Sequence, residues 1–366
     1  MKRKVSLLLY VICIMSVLLT GCAAKGSNEN SSANGQQNAE ATEPNQKDDS
    51  KTAALIEDAK KQLDEQLGVQ PETGKGEKIG VLISSTSNEF WASMKEQYEK
   101  AGKDLGIDVQ VFEAKSEDDA AGQLDALNTM VNMDFDAIIL SPINGTNLIP
   151  GIVEANKKGI PVINLGPGVD EKALQGAGGK IDGRITVKFE TQGEMVAKDM
   201  VSRFTKDKNE VAILAGLDGA AQSEGRKDGA LKYFESKDNV EVVQVKSCDW
   251  KPEIAYEETK NILTAHPDIH GIFACNDNMA LAAIRALEEM DKKDVLVYGV
   301  DFIEDAKTSM KDKKLMGTMT YSQALYTEAA EKMALILAQG KELKAPVYLP
   351  LALVTQDNVN DFDDWK

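Results

Sequence analysis

Cysteine is scarce in this chain and poorly placed for cross-linking. Four occur in 366 residues, and Cys13 and Cys22 fall in or just after an N-terminal apolar run, leaving only Cys248 and Cys275 in the body. That pattern excludes a disulfide-stapled scaffold. Histidine is scarcer still: His266 and His270 are the only two, and Pro267 between them spoils a helical i, i+4 pair. No metal site and no cofactor are expected from such spacing. Basic residues are outnumbered, 42 Lys and Arg against 59 Asp and Glu, for a net charge of −17. A body of that charge has no general attraction for nucleic acid or anionic lipid. The chain also lacks Gly-x-Ser-x-Gly and Gly-x-x-x-x-Gly-Lys-Ser/Thr. The glycine-rich Gly176-Ala-Gly-Gly-Lys180 does not stand between a buried strand and a helix start. Glu224 and Asp301 are the one carboxylate pair to weigh for glycoside hydrolysis. No catalytic residue is assigned, and an enzyme is not expected. Aromatic residues make up only 5% of the chain, so the places where they gather carry information.

The chain has one long apolar run, and it is N-terminal. Lys2, Arg3 and Lys4 precede it, and Leu19-Thr20-Gly21-Cys22 closes it. A positive start, an apolar middle and small residues before a cut read as a secretory signal peptide over 1–21. The closing tetrad resembles a bacterial lipobox, which implies cleavage before Cys22 and lipid attachment to its thiol. The mature chain would then sit on the extracytoplasmic face of the cell membrane, held through the lipid alone. Residues 22–76 read as a tether, poor in apolar side chains and rich in Asn, Ser, Gln, Ala and Gly over its first half. Within it, 52–67 has helical composition, and Leu55, Ile56, Leu63 and Leu67 are expected on one face.

From residue 78 the chain alternates. Short apolar runs at 78–84, 109–112, 136–140 and 161–165 are separated by helical patterns at 88–105, 117–132 and 147–158. A second series has runs at 210–216, 240–246, 271–274 and 295–299, with helices near 223–236, 253–265 and 277–289. Alternating strands and helices imply βαβ units on a parallel sheet, and two series imply two sheets. The length suits about two domains. The fold class is therefore α/β, two doubly wound parallel-sheet lobes. Ligands of such sheets bind beyond the carboxyl ends of the strands. The segments there are 84–91, 141–142, 166–167, 217–224, 248–250, 275–278 and 301–302, rich in amides, carboxylates and aromatics. Two facing lobes would bring them to one cleft suited to a small molecule. In the doubly wound order the strands before Cys248 and Cys275 flank a third. The two ends are then roughly 9–10 Å apart, beyond the ~7 Å limit for a disulfide, so the two should stay unpaired.

These strand ends resemble the ribose-binding-protein-like solute-binding lipoproteins of bacterial sugar ABC transporters, which have the type I periplasmic-binding-protein fold. The resemblance is carried by Ser84-Ser-Thr-Ser-Asn-Glu-Phe-Trp91, by Ala265-His-Pro-Asp268 followed by Phe273-Ala-Cys-Asn-Asp-Asn-Met-Ala-Leu281, by Gly299-Val-Asp301 and by Asp249-Trp250. It runs from about residue 78 to 357. It implies lobes of 77–187 plus 322–349 and 188–321 plus 350–366, with hinge crossings near 186–190, 321–323 and 350. It also implies a ligand site of Ser84, Asn88, Phe90, Trp91, Glu224, Trp250, Asn276, Asp301 and Tyr321. Asn88, Asn276 and Asp301 would bind hydroxyls, and Phe90, Trp91 and Trp250 would sandwich a sugar ring. Read singly, Phe90 or Trp91 could be core, Asp301 a turn residue and Asn276-Asp277 a helix N-cap, with Asp277 the expected cap of the two.

The departures from the family pattern matter too. Gly166-Pro167 replaces Asp-Arg, Ser223-Glu224 stands where a ligand-binding arginine is common, and Tyr321 replaces a glutamine, with Gln323 close by. Arg226 is read as facing elsewhere. Asp301 and Glu224 would then leave the pocket negative and favour a polyol, an amino sugar or an unusual sugar derivative. The resemblance implies a monomer that delivers its ligand to the membrane subunits of an ABC importer. The alternative is a lipoprotein presenting a sugar, amino sugar or signalling molecule to a membrane sensor kinase.

Overall fold

The computed structural model describes residues 49–344, 346–362 and 365. The expected signal peptide (1–21), the expected anchor Cys22 and the expected tether up to residue 48 lie outside the described residues. The first element is α1 (Asp49–Leu67). Its buried face runs through Thr52, Ala59, Leu63 and Leu67, with Ile56 half-buried. Leu55 is 46% exposed, contrary to the face expected for it. It sits one residue, about 100° of helix rotation, from Ile56, so the two cannot both point into the body. The Gln66 amide bonds both backbone groups of Tyr348, receiving its N–H (2.8 Å) and donating to its C=O (3.0 Å). That covers the exposed edge of a sheet.

The first lobe then builds in strict alternation: β1 (Lys78–Leu82), α2 (Glu89–Leu105), β2 (Asp108–Phe112), α3 (Ala120–Val131), β3 (Ala137–Leu140), α4 (Ile149–Lys157), β4 (Val162–Leu165), α5 (Glu171–Gly176) and β5 (Gly183–Thr186). The second follows with α6 (Phe189–Ser202), β6 (Asn209–Ala215), α7 (Ala221–Glu235), β7 (Val240–Ser247), α8 (Pro252–Ala265), β8 (Gly271–Ala274), α9 (Asp277–Glu289), β9 (Leu296–Val300), α10 (Glu304–Lys311) and β10 (Gly317–Thr320). The chain ends with α11 (Gln323–Ala338), β11 (Val347–Tyr348), β12 (Ala352–Thr355) and a 3-10 turn at Val359–Phe362. One sheet has the order β11-β5-β4-β3-β1-β2, the other β12-β10-β9-β8-β6-β7. Every pairing is parallel except β10 with β12. The chain passes between sheets after β5, after β10 and between β11 and β12. Because β6 separates β7 from β8, Cys248 and Cys275 remain free and buried, and burial pushes both thiols up to about 12.

The first sheet is covered on both faces, and its strands show the period of two that this requires. Ile79, Val81 and Ile139 join the layer that holds Met94, Tyr98 and Ala330; Leu82, Ile138 and Leu140 join the layer that holds Leu127, Met130 and Ile152. The second lobe has one continuous core around Val211, Ile213, Phe234, Phe273 and Tyr298. There α6 and α7 approach so closely that a Cβ on Gly229 would lie 2.0 Å from the Glu190 carbonyl oxygen. No other residue fits that contact, and it fixes how α7 presents its side chains to the cleft. Among the described residues no helix is long and apolar enough to cross a membrane.

Candidate functional site

The carboxyl ends of both sheets meet around one cavity lined from both, the position at which such sheets bind small molecules. Asn88 opens α2: its Oδ1 accepts the Phe90 N–H at 3.0 Å, as an N-cap does. The two aromatics of the first turn are thereby aimed at the cleft. Phe90 meets Trp91 edge to face at 5.0 Å and Tyr321 at 6.0 Å, and Tyr321 meets Tyr326 at 5.1 Å. From the other lobe Trp250 lies against the Gly216 backbone so tightly that a Cβ there would sit 2.2 Å from its ring. Phe189, at the start of α6, completes the aromatic lining.

Two strand-end corners are held in left-handed backbone conformations by non-glycine residues. Asp249 and Trp250 have φ of 53° and 64°, and Asp301 and Phe302 have φ of 120° and 61°. Such strain persists where the surroundings over-determine it, and it clusters at ligand sites. Asn276 caps α9, accepting the Met279 N–H at 2.9 Å, and also lines the cavity. The N-cap is thus Asn276, not Asp277 as the sequence suggested. Asp277 is the first helical residue, fully buried, accepting the Thr318 hydroxyl (2.7 Å) and the Ile303 N–H (3.1 Å).

The charged groups differ most from expectation. Arg226 points into the site. Its Nε donates to Gln192 (2.9 Å), its Nη1 to the Cys275 carbonyl (2.8 Å), its Nη2 lies 3.5 Å from Asp301, and its guanidinium packs over Phe189 at 5.8 Å. Burial pushes the Asp301 carboxyl up to about 7; Arg226 opposes that rise and Glu117 adds to it. Glu117, from the β2–α3 loop, accepts both the Asn88 amide (3.0 Å) and the Trp91 indole N–H (3.1 Å). Burial also raises its carboxyl, against those two hydrogen bonds.

A family profile described as "Periplasmic binding protein domain" matches residues 79–342. The chain belongs to that family. This periplasmic binding protein is 31% identical over 278 residues to the ribose import binding protein of Bacillus subtilis, covering 76% of its own length and 87% of the relative's. It is 30% identical over 245 residues to the D-allose-binding periplasmic protein of Escherichia coli, covering 67% and 79%. Among solved structures, a solute-binding protein from Actinobacillus succinogenes with bound D-allose is 34% identical, with a TM-score of 0.74 over 78% of this chain and 99% of that one. All three are named as binding proteins, the solved structure as that of an ABC transporter, and the two-lobed architecture is the ribose-binding type I form.

Of the nine residues singled out from the sequence, Asn88, Phe90, Trp91, Trp250, Asn276, Asp301 and Tyr321 line the cavity of this periplasmic binding protein, and Ser84 and Glu224 do not. Ser84 is buried at the end of the first strand run, its carbonyl taken by the Ala114 N–H at 2.8 Å. Glu224 turns away: it accepts the Gly219 N–H at 3.1 Å and pairs with Lys227, whose hydrogen bond holds its carboxyl below the usual range. Helix phase explains the exchange. Gln222 and Arg226 line the cavity four residues apart on one face of α7, and Glu224 lies about 200° round the helix from each. Asn88 gives one amide N–H to Glu117 and keeps the other. Glu117, Phe189, Gln222 and Tyr326 were missed. The only sequence signal for Glu117 was its place just beyond a strand end. Glu224→Gln is expected to leave ligand affinity unchanged within about twofold, since one charge exposed to solvent contributes little. A calorimetric titration with any bound ligand checks this, and a tenfold change would place Glu224 back in the site.

Proposed function

We propose that this chain is a lipid-anchored, extracytoplasmic binding protein. It closes two lobes on a sugar or sugar-like polyol and delivers it to the membrane subunits of an ABC importer. The observation that carries the reading is the cavity itself: facing aromatic rings from both lobes around Asn276, Asp301 and Arg226. Ring faces take up the apolar C–H faces of a sugar, and the polar groups fix its hydroxyls. The names of the relatives support that ligand class, and the lipobox-like Leu19-Thr20-Gly21-Cys22 supports anchorage at Cys22. The expected unit is a monomer.

Closure would be the signal that the importer reads. Two contacts join the lobes at the rim: Lys251 to Asp118 at 2.8 Å, and the Glu304 N–H to the Glu89 carboxylate at 3.1 Å. Lys251 follows Trp250 and Asp118 follows Glu117, so the rim contacts adjoin cavity residues directly. Ligand held between the lobes favours the closed form by its contacts with both.

The test is a thermal-shift panel on the full chain in detergent, with pentoses, hexoses, polyols and amino sugars. A ligand at a hundred times its Kd stabilises by about 2.7 kcal/mol, a rise of several degrees. A clear rise with at least one member is expected. No rise with any of them would sink the sugar-class reading.

A further inference from the structure

We propose that the ligand is a polyhydroxylated molecule bearing a protonated amine, and that Glu117 is the residue that selects it. The inference rests on the sugar-binding reading and narrows its ligand class.

The hydrogen-bonding groups of the cavity are unevenly spent. Arg226 is the one cation among the described residues that line it, and its Nε and Nη1 are already committed to Gln192 and Cys275. Trp91 has given its one donor to Glu117, and Asn88 one of its two. Among the charged groups acceptors outnumber donors, two carboxylates to one guanidinium. A carboxylate offers about four lone-pair positions, and Glu117 has two hydrogen bonds. Asp301 has its second oxygen, and the Gln222 Oε1 is buried with no partner. A ligand rich in donors suits this lining.

Charge sharpens the point. Glu117 and Asp301 face a single guanidinium across the same cavity. One uncompensated negative charge in a water-poor cleft is costly until something neutralises it. A ligand ammonium does so without expelling any group already present. The walls suit it too: Phe90, Trp91, Trp250, Phe189 and Tyr321 supply ring faces, which attract cations. The upward pull of burial on the carboxyls of Glu117 and Asp301 agrees with a site one positive charge short.

The experiment uses the full chain in detergent and matched pairs: D-glucosamine against D-glucose, D-galactosamine against D-galactose, and glucamine against sorbitol. In at least one pair the amine is expected to bind about tenfold tighter or more, the effect of one charge pair in a desolvated cleft. Glu117→Gln should weaken both members, since its NH2 cannot accept from Asn88 or Trp91, but should weaken the amine several-fold more and so bring that ratio to near unity. A structural role alone would weaken both members equally. If the variant fails to fold, the wild-type ratio still decides. Neutral members binding as tightly as their amines would overturn the inference and leave the sugar reading standing. No binding by any amine would also overturn it, and the wider panel would then judge the sugar reading separately.

Discussion

Arg226→Met is expected to destabilise the chain by about 3–5 kcal/mol, the usual result of stripping a buried carboxylate of its partner, and to abolish tight ligand binding. The residue is buried and holds three elements at once: Gln192 on α6, the Cys275 carbonyl after β8 and Asp301 after β9. Methionine fills much of the volume but supplies no donor. Asp301 must then keep an unpaired charge or take up a proton. Its carboxyl already stands at about 7 with the guanidinium beside it, so removing Arg226 pushes it higher. The loss should therefore be smaller at pH 5 than at pH 8, and Asp301→Asn should restore part of it in the double variant. Arg226→Lys should recover little, because an ammonium cannot reach three partners in different directions. Urea unfolding at the two pH values reads all of this. A loss under about 1 kcal/mol for Arg226→Met, a surface-like value, would mean that the guanidinium does not organise the site.

The second large effect concerns Glu331 on α11. It is fully buried, and both carboxyl oxygens lack a hydrogen-bond partner. Tyr98 and Gly102 of α2 are its neighbours. Burial, with Glu328 adding to it, pushes its carboxyl up to about 9, against an ordinary value of 4.5. Between these values the folded state holds a proton that the unfolded state has released. Stability from this group is therefore fully present below 4.5 and is lost as pH rises through 9. The slope is about 1.4 kcal/mol per pH unit. Asp301 releases its proton at about 7, so above that value the slope belongs to Glu331 together with Asp277, which burial also raises. Comparison with a variant isolates the glutamate. Glu331→Met is expected to gain about 4 kcal/mol at pH 8, and to flatten the pH dependence between 7 and 9. Denaturant unfolding across that interval is the check. Equal slopes in both proteins would show that Glu331 finds a partner in solution.

Much of this architecture was legible in the sequence because strands covered on both faces must be short, continuous apolar runs. β1, β3, β4, β6, β8 and β9 all announced themselves that way. β5 and β10 did not: Gly183-Arg-Ile-Thr186 and Gly317-Thr-Met-Thr320 are too polar to read as buried strands, yet the ladders on either side recruit them. The site followed the same division. Asn88, Phe90 and Trp91 were placed through the resemblance of the segment 84–91, and in the structure the Asn88 N-cap fixes that turn locally. Arg226 and Glu224 were exchanged because their directions depend on the phase of α7, set by its contact with α6 at Gly229. Glu117 comes from a loop, where no periodicity tells which way a side chain turns.

By itself the sequence determined two βαβ series, a cleft at their strand ends and the aromatic character of the segments there, because hydrophobic period acts over a few neighbouring residues. Only the tertiary structure decided the charge of that cleft. Which carboxylate faces Arg226 depends on how helices pack and how a loop folds over the neighbouring strand ends, and those contacts join residues far apart in the chain.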